Sequence, residues 1–386
     1  MNIGFLEILR SSGSLKIKII KLIDYFLGSF ITSLLPPRNP LPSSVYENKW
    51  KRILIIRPGG IGDAIFLLPI LNAMKKLDSS PLITDILCER RNSWVFVSQK
   101  GTHDHLYFYD DVRSFFSIFQ NRYDVIIDTE QWHYLSAITA YFLKPSVTIG
   151  FASRRLRAKL FNQKISYDLN GYELENFKKL FSTDFPELTE ILNLENSFKV
   201  SPKTFDWAHS QIPSSSVSLY LGGSLPEKRL TLSQISSIVQ FILEQGFTPI
   251  LLGGGDFLDE NLQIEKNISQ KNLINLTAKT SLEESAAVIQ QSKLFIGTDS
   301  GLMHLACAVG TPVIAIFGSS NLQKWGPQGS QHTVITENVE CAPCSLFGYS
   351  LPTCHGSYHC LKKMDIDRIK MIIKRSLEMY SSKKKE

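Results

Sequence analysis

The sequence has no stretch of about 20 uncharged apolar residues, the length a membrane-spanning helix needs. The best candidate, residues 17–35, is interrupted by Lys18, Lys21 and Asp24. No small-residue cleavage site of a secretory leader follows that run; Pro36, Pro37 and Arg38 follow instead. Dense Lys/Arg stripes with interleaved aromatics are also missing. The net charge of +6 on 386 residues suits an acidic substrate or an anionic membrane surface and does not call for nucleic acid. Neither the dinucleotide fingerprint G-x-G-x-x-G nor a P-loop occurs. Cysteine is scarce: there are six, four of them between Cys341 and Cys360. That is too few and too clustered for a secreted disulfide scaffold, so the chain reads as intracellular. Short-period internal repeats are lacking too.

What is present is ordinary globular composition, 43% hydrophobic and 20% charged, over a length that suits two domains. The first segment, residues 1–48, splits into an apolar helix and a Pro/Ser-rich linker over residues 36–48. Two readings of the helix stand ahead of a true membrane span. With Lys16, Lys18 and Lys21 near its start, residues 14–35 form an amphipathic helix on a membrane surface; otherwise the helix packs on the main body. From about Lys49, strand and helix signals alternate. Strands are expected at residues 52–57, 82–87 and 123–128, with helices at 64–77 and 132–143. A second set has strands at 217–221, 248–252, 273–275, 294–297 and 313–317, with helices at 232–245, 281–291 and 302–309. Such alternation implies an α/β fold with parallel sheets covered on both faces. The halves divide into 49–205 and 206–365, followed by a C-terminal helix and basic tail over 366–386.

Three constellations carry chemistry. In Arg57-Pro58-Gly59-Gly60-Ile61-Gly62-Asp63, a strand ends, glycines at 59, 60 and 62 let the backbone turn sharply, and a helix begins. Amides at a helix start suit an anion or a polar sugar. A carboxylate at a strand's carboxyl end is placed like a catalytic group, so Asp63 could take a proton from an attacking hydroxyl; the plain alternative is that it caps its helix. The second constellation runs from Gly297 to Pro327. There a strand ends in Thr298-Asp299-Ser300-Gly301, and Leu302 and His304 open the next helix. The Ser300 and Gly301 amides with the helix dipole make a natural diphosphate site; alternatively Asp299 is a cap and His304 a satisfied core histidine. Third, Gly222-Gly223-Ser224 ends a strand, and Lys228-Arg229 follow. Lys228 is either a clamp that stabilises a leaving diphosphate or a solvated surface lysine.

Taken together, RILIIRPGGIGDAIFLLPIL, GGSLPEKRLTLSQ and DSGLMHLACAVGTPVIAIFGSS resemble, in this order and spacing, glycosyltransferase family 9, the ADP-heptose:lipopolysaccharide heptosyltransferases. The resemblance covers roughly residues 50 to 380. It implies a GT-B fold, two Rossmann-like doubly wound domains facing a crevice, with the acceptor on the first and the nucleotide-sugar donor on the second. It assigns Asp63 as general base and Lys228 as the residue on the donor diphosphate. Gly222, Gly223, Asp299, Ser300, Gly301, Leu302 and His304 become the donor-binding set. It further implies inversion at the anomeric carbon, no cofactor and no bound metal, and a cytoplasmic enzyme on the inner membrane acting on a lipid-linked saccharide. The chain departs from the family after the Gly-loop, where Leu230-Thr231 replace the usual Trp-Pro. Asp256, Asp259 and Glu260 are all candidates for the ribose-binding acid. Asp128 to Trp132 and Arg154-Arg155 fall on the acceptor side; the arginines either hold acceptor phosphates or lie on a solvated face. Cys341, Cys344, Cys354 and Cys360, with His355 and His359, have the residue types of a zinc site but not its clean spacing, so a loop of reduced cysteines is the preferred reading.

Overall fold

The computed structural model describes residues 15–42, 45, 50–76, 82–189, 192–223, 228–268, 272–337, 339–346, 349–350 and 359–382. The chain divides into two compact units, Met1–Leu194 and Glu195–Glu386.

The first unit opens with α1 (Leu15–Ile23), a π-helical turn (Asp24–Gly28) and α2 (Ser29–Leu34). There follow β1 (Arg52–Arg57), α3 (Ile61–Lys76), β2 (Ile83–Cys88), α4 (Arg90–Val97) and β3 (His105–Phe108). Next come α5 (Val112–Ser117), β4 (Val125–Asp128), α6 (Tyr134–Phe142), β5 (Val147–Phe151), α7 (Arg155–Ala158), β6 (Gln163–Ile165) and α8 (Glu173–Ser182). The six strands run parallel in the order β3-β2-β1-β4-β5-β6. Ile53 to Ile56 of β1 are fully buried, as a strand covered on both faces requires.

The second unit contains α9 (Pro202–Gln211), β7 (Ser216–Tyr220), α10 (Leu232–Glu244), β8 (Thr248–Leu251), α11 (Leu258–Asn267), β9 (Ile274–Asn275), α12 (Leu282–Gln291) and β10 (Leu294–Thr298). It continues with α13 (Gly301–Ala308), β11 (Val313–Phe317), α14 (Leu322–Trp325), β12 (Thr333–Thr336), the hairpin β13 (Ser345–Leu346) and β14 (Tyr349–Ser350), α15 (His359–Lys362) and α16 (Ile366–Ser382). Its sheet has the order β12-β11-β10-β7-β8-β9. Both sheets therefore follow one plan. The chain starts in the centre, steps outward over two strands, returns to the other side of its first strand, and steps outward again. Right-handed crossovers put the helices of the two runs on opposite faces, and the reversal leaves a gap at the strands' carboxyl ends. That switch point lies between β1 and β4 in one sheet and between β7 and β10 in the other.

Local sequence explains the helix starts. Thr231 with Gln234, and Ser281 with Glu284, form capping boxes at α10 and α12. Ser201 caps α9, with Pro202 in its first turn. Helix α9 packs on α12, so the division between units falls before residue 202 rather than at the boundary drawn after residue 205. The C-terminal helix α16 is part of the second core, burying Ile369, Ile373 and Leu377 against α10; Lys383 to Lys385 lie outside the described residues. Strands β3, β6 and β12 are short sheet-edge elements of mixed polarity, which is why the sequence shows them poorly.

Asp24 fastens the N-terminal helix to the first unit. Asp24 accepts hydrogen bonds from the backbone amides of Tyr134 (3.0 Å) and Leu135 (2.7 Å) and lies 3.2 Å from His133 Nδ1. It thus caps α6 from a distant part of the chain. Gly28 faces Tyr134 so closely that an added Cβ would fall 2.9 Å from the Tyr134 Cβ. Beyond α2, the first part of the proline-rich segment is tied down too: the Arg38 amide donates to the Lys159 carbonyl, and Asn162 donates to the Asn39 carbonyl. Burial alone would lower the His133 imidazole, but its bond to Asp24 and the charge of Glu130 outweigh this and raise it above its ordinary value. That contribution is complete below the unfolded value and is lost as pH rises through the raised one. Asp24→Ala is expected to destabilise the first unit by about 1 kcal/mol in urea unfolding. The loss should be larger on the acid side of the histidine range than on the alkaline side.

Candidate functional sites at the two switch points

In the first unit, β1 ends at Arg57 and the chain turns through Pro58, Gly59 and Gly60. Gly59 has φ +107°, which favours glycine, and a Cβ there would sit 3.3 Å from the Arg57 guanidinium. A Cβ at Gly60 would fall 3.1 Å from Asp63 Oδ2. Helix α3 begins at Ile61, earlier than the sequence suggested, because the Ala64 amide already donates to the Gly60 carbonyl. Gly62 is therefore inside the helix and not in the turn. Asp63 is the third residue of the helix, half-buried, instead of the residue just ahead of it.

Asp63 is held from the segment after β4. Gln131 Nε2 donates to Asp63 Oδ1 at 3.3 Å and to Glu173 Oε1 at 2.7 Å. Glu173 Oε2 in turn accepts from the Tyr167 hydroxyl at 2.8 Å. Arg57, 1% exposed, donates to the Pro58 carbonyl (2.6 Å), the Thr129 carbonyl (2.9 Å) and Glu130 Oε2 (3.2 Å). Burial would raise the Glu130 carboxyl, but His133, Arg57 and the Trp132 amide together hold it below its ordinary value. Next to it, Arg157 binds Asp128 at 2.6 Å, yet burial still pushes that carboxyl up to about 6. The segment Asp128 to Trp132 is thus the supporting wall of Asp63, a role the sequence did not reveal because Arg57, Gln131 and Glu173 come from distant elements. The two neighbouring arginines separate: Arg154 stacks on Tyr134 (4.3 Å) and Trp132 (5.0 Å), whereas Arg155 is exposed.

In the second unit, Gly222 and Gly223 follow β7, and Ser224 lies outside the described residues. A Cβ at Gly222 would meet the Phe257 ring at 2.3 Å, and one at Gly223 would meet the Lys228 Cβ at 2.7 Å. Lys228 reaches Asp299 at the end of β10, with Nζ 2.6 Å from Oδ2. Across the same gap the Thr298 hydroxyl donates to the Gly222 carbonyl, stitching β10 to the loop after β7. Asp299 is buried, and His304 Nε2 lies 3.6 Å from Oδ1. Burial opposes the charge on Asp299, but Lys228 and His304 overcome it and hold the carboxyl far below its ordinary value. His304 is 3% exposed, so it orients Asp299 from within.

Ser300 caps α13, its hydroxyl accepting from the Met303 amide at 3.3 Å. The first-turn amides of Gly301 and Leu302, both half-buried, have no acceptor within the helix by its geometry. Arg229 turns the other way from Lys228, donating to the Gly223 carbonyl (2.7 Å) and lying over the Phe257 ring (4.7 Å). Beside it is a cavity lined by Tyr220, Gly222, Arg229, Phe257, Glu260 and Asn261. Of the three acids considered in that loop, only Glu260 lines it, 3.9 Å from Arg229.

The turn after β11 is covered by the cysteine-rich segment. The Ser319 carbonyl accepts from the Cys344 amide at 2.8 Å, and Cys360 Sγ lies 3.1 Å from where a Gly318 Cβ would be. Cys344 and Cys360 are buried there. Cys354, His355 and the side chain of His359 lie outside the described residues. Among the described residues no group of three or more His, Cys, Asp or Glu is arranged to hold a metal ion. Cys88 and Cys307 are core residues, their thiols pushed up to about 12 by burial.

The profile of one family, described as glycosyltransferase family 9 (heptosyltransferase), matches residues 112–353. A lipopolysaccharide heptosyltransferase 1 of Campylobacter coli is 25% identical over 294 residues, covering 70% of this chain and 84% of that one. A lipooligosaccharide heptosyltransferase 2 of Haemophilus influenzae is 28% identical over 113 residues, 28% of this chain. That match spans about a third (33%) of the relative's length. Among solved structures, E. coli ADP-heptose lps heptosyltransferase II superposes with a TM-score of 0.69 over 86% of this chain and 99% of that chain, at 18% identity. The two doubly wound sheets are the GT-B architecture.

Two substitutions test these sites. Lys228→Met leaves a buried carboxylate without its main partner, which is expected to cost roughly 3 kcal/mol at neutral pH. Because the Asp299 carboxyl is depressed, its pairing stabilises the fold above the unfolded carboxylate value and is lost as pH falls through the folded one. The difference between wild type and variant should therefore shrink in acid, as followed by urea unfolding across pH. Gly222→Ala overpacks Phe257 and should cost about 1–3 kcal/mol.

Proposed function

Since the chain belongs to glycosyltransferase family 9 (heptosyltransferase), we propose that it is an inverting transferase. It moves a sugar, heptose from ADP-heptose first among the candidates, onto the lipopolysaccharide core or a related lipid-linked glycan. The observation that carries this reading is the convergence of Lys228 and the start of α13 on one switch point. A lysine ammonium and unpaired first-turn amides on a glycine-lined turn are what a sugar diphosphate needs. The likeness to the E. coli ADP-heptose lps heptosyltransferase II supports the donor, and the likeness to lipopolysaccharide and lipooligosaccharide heptosyltransferases supports the acceptor class.

The chemistry is a single displacement. An acceptor hydroxyl gives its proton to Asp63 and its oxygen forms the new bond to the anomeric carbon. On the opposite face the bond to the diphosphate oxygen breaks, and that oxygen leaves with the electron pair. Gln131 and the Arg57–Glu130 pair behind it hold Asp63 in place. Lys228, held by Asp299 at 2.6 Å, stabilises the charge growing on the leaving diphosphate, together with the amides of Gly301 and Leu302. With a fixed cation already supplied by the chain, the reading needs no bound metal and no cofactor. Glu260, which lines the Tyr220–Phe257 cavity, is the acid chosen for the ribose hydroxyls. Among the described residues no helix is long and apolar enough to cross a membrane. We place the enzyme on the cytoplasmic face of the inner membrane, where a lipid-linked acceptor is reached.

The test is thermal unfolding with ADP-heptose, UDP-GlcNAc and GDP-mannose in parallel. Protection by the first alone is expected; protection by another sugar nucleotide reassigns the donor, and protection by none contradicts the reading. Asp63→Asn should keep the protection and lower turnover by roughly 10²–10⁴-fold, the usual weight of a general base. Unchanged turnover would remove Asp63 from the chemistry.

A further inference from the structure

The segment before the first sheet shows two faces. One is turned to the first unit through Lys21, Asp24, Gly28 and Thr32. The other carries Ile19, Ile23, Phe26, Phe30 and Leu34, all exposed, with Phe30 at 61% and Leu34 at 70%. These positions recur at helical spacing, so they form one stripe along the whole helix. Leu135 and Phe142 of α6, which packs beside the helix, are exposed as well. An exposed apolar stripe of this length is not ordinary scatter.

Charge identifies what covers it. Residues 15–41 hold Lys16, Lys18, Lys21 and Arg38 against a single acid, Asp24, and that acid is turned inward to cap α6. Residues 134–164, which include α6 and α7 packed on the helix, contain six Lys/Arg and no acid. Arg155 there is exposed, and Lys159 donates to the Ser33 carbonyl at the end of the helix. Aromatic and aliphatic side chains bordered by cations suit an anionic lipid surface.

We propose that Leu15–Leu34 lies in the interface of an anionic bilayer with this stripe down, and that Asp24 is the joint fixing the bilayer-bound helix to the acceptor unit. The proposal deepens the reading above, since a lipid-linked acceptor sits in such a bilayer. The joint is close to the chemistry along the chain. Asp24 binds residues 133–135, and Gln131, two residues earlier, holds Asp63. Lys21, on the same inner face, lies within the field of Arg91 and Glu130, and burial with that arginine draws its ammonium down to about 8. The helix therefore borders the acceptor cluster instead of hanging from it as a tether.

The full chain is sedimented with phosphatidylcholine vesicles, with and without phosphatidylglycerol. Binding is expected only with the anionic lipid, and it should weaken as salt is raised. Phe26→Asp/Phe30→Asp should bind at least about tenfold more weakly, because burial of each ring is worth about that much. The double variant should keep the wild-type melting temperature and the protection by ADP-heptose. Retained protection with lost sedimentation separates this proposal from the donor reading, which fails if protection is absent whatever the vesicles show. A wild type that stays in the supernatant, a double variant that sediments like wild type, or a wild-type dimer that the double variant splits would overturn it. The joint has its own readout. Asp24→Ala should speed tryptic cleavage after Lys21 about fivefold, the factor that about 1 kcal/mol of lost docking gives; equal rates would refute the joint.

Discussion

A parallel strand order that reverses once must open at the point of reversal. The helices that follow the two runs leave on opposite faces, so at the carboxyl ends of the two central strands nothing covers the backbone. This chain meets that constraint twice, between β1 and β4 and between β7 and β10. At each gap a glycine-containing turn leaves the first strand, and a polar segment leaves the fourth. Threonine closes both: Thr129 donates to the Ile56 carbonyl in one sheet and Thr298 to the Gly222 carbonyl in the other. Family membership and the proposed chemistry are specific, but the positions where that chemistry is placed follow from topology.

Buried charge borders both gaps. In the second unit a carboxylate taken out of water is tolerated because Lys228 and His304 meet it. The arrangement keeps a lysine in position beside the start of α13 without a ligand, so little ordering of that side chain is left for binding. In the first unit Arg57 has the corresponding task. It is buried, satisfied by two carbonyls and Glu130, and passes its orientation to Asp63 through Gln131. Each site is pre-organised by a cation, but in the first the cation is sealed behind the carboxylate and in the second it stands at the front.

The parts of this design legible in the sequence are those with strong local signals. RILIIR and VIAIF are unbroken aliphatic runs and read as buried strands. The turns after β1, β7 and β10 announce themselves by glycine next to Asp or Ser. The parts that were not legible depend on residues far apart. Nothing local marks Gln131 as the partner of Asp63, Glu173 as the partner of Gln131, or Asp24 as the cap of α6, since those contacts cross 42 to 111 residues of chain. The sequence suggests a later start for α3 because glycine favours a continued turn, whereas Gly62 is helical. For the N-terminal segment the sequence allows both a membrane-surface helix and a helix packed on the body. One face packs and the other is exposed, and the charge inside the run, Asp24, decides which is which.

The central claim is that a nucleotide's phosphates are gripped at the β7–β10 gap by Lys228 and the opening of α13. Hydrogen exchange read by mass spectrometry, with and without ADP, addresses it directly. Slowed exchange of the amides over residues 299–304 and 221–230, with little change elsewhere, is the predicted result. Protection confined to other parts of the chain, with those amides unaffected at saturating ADP, would contradict it.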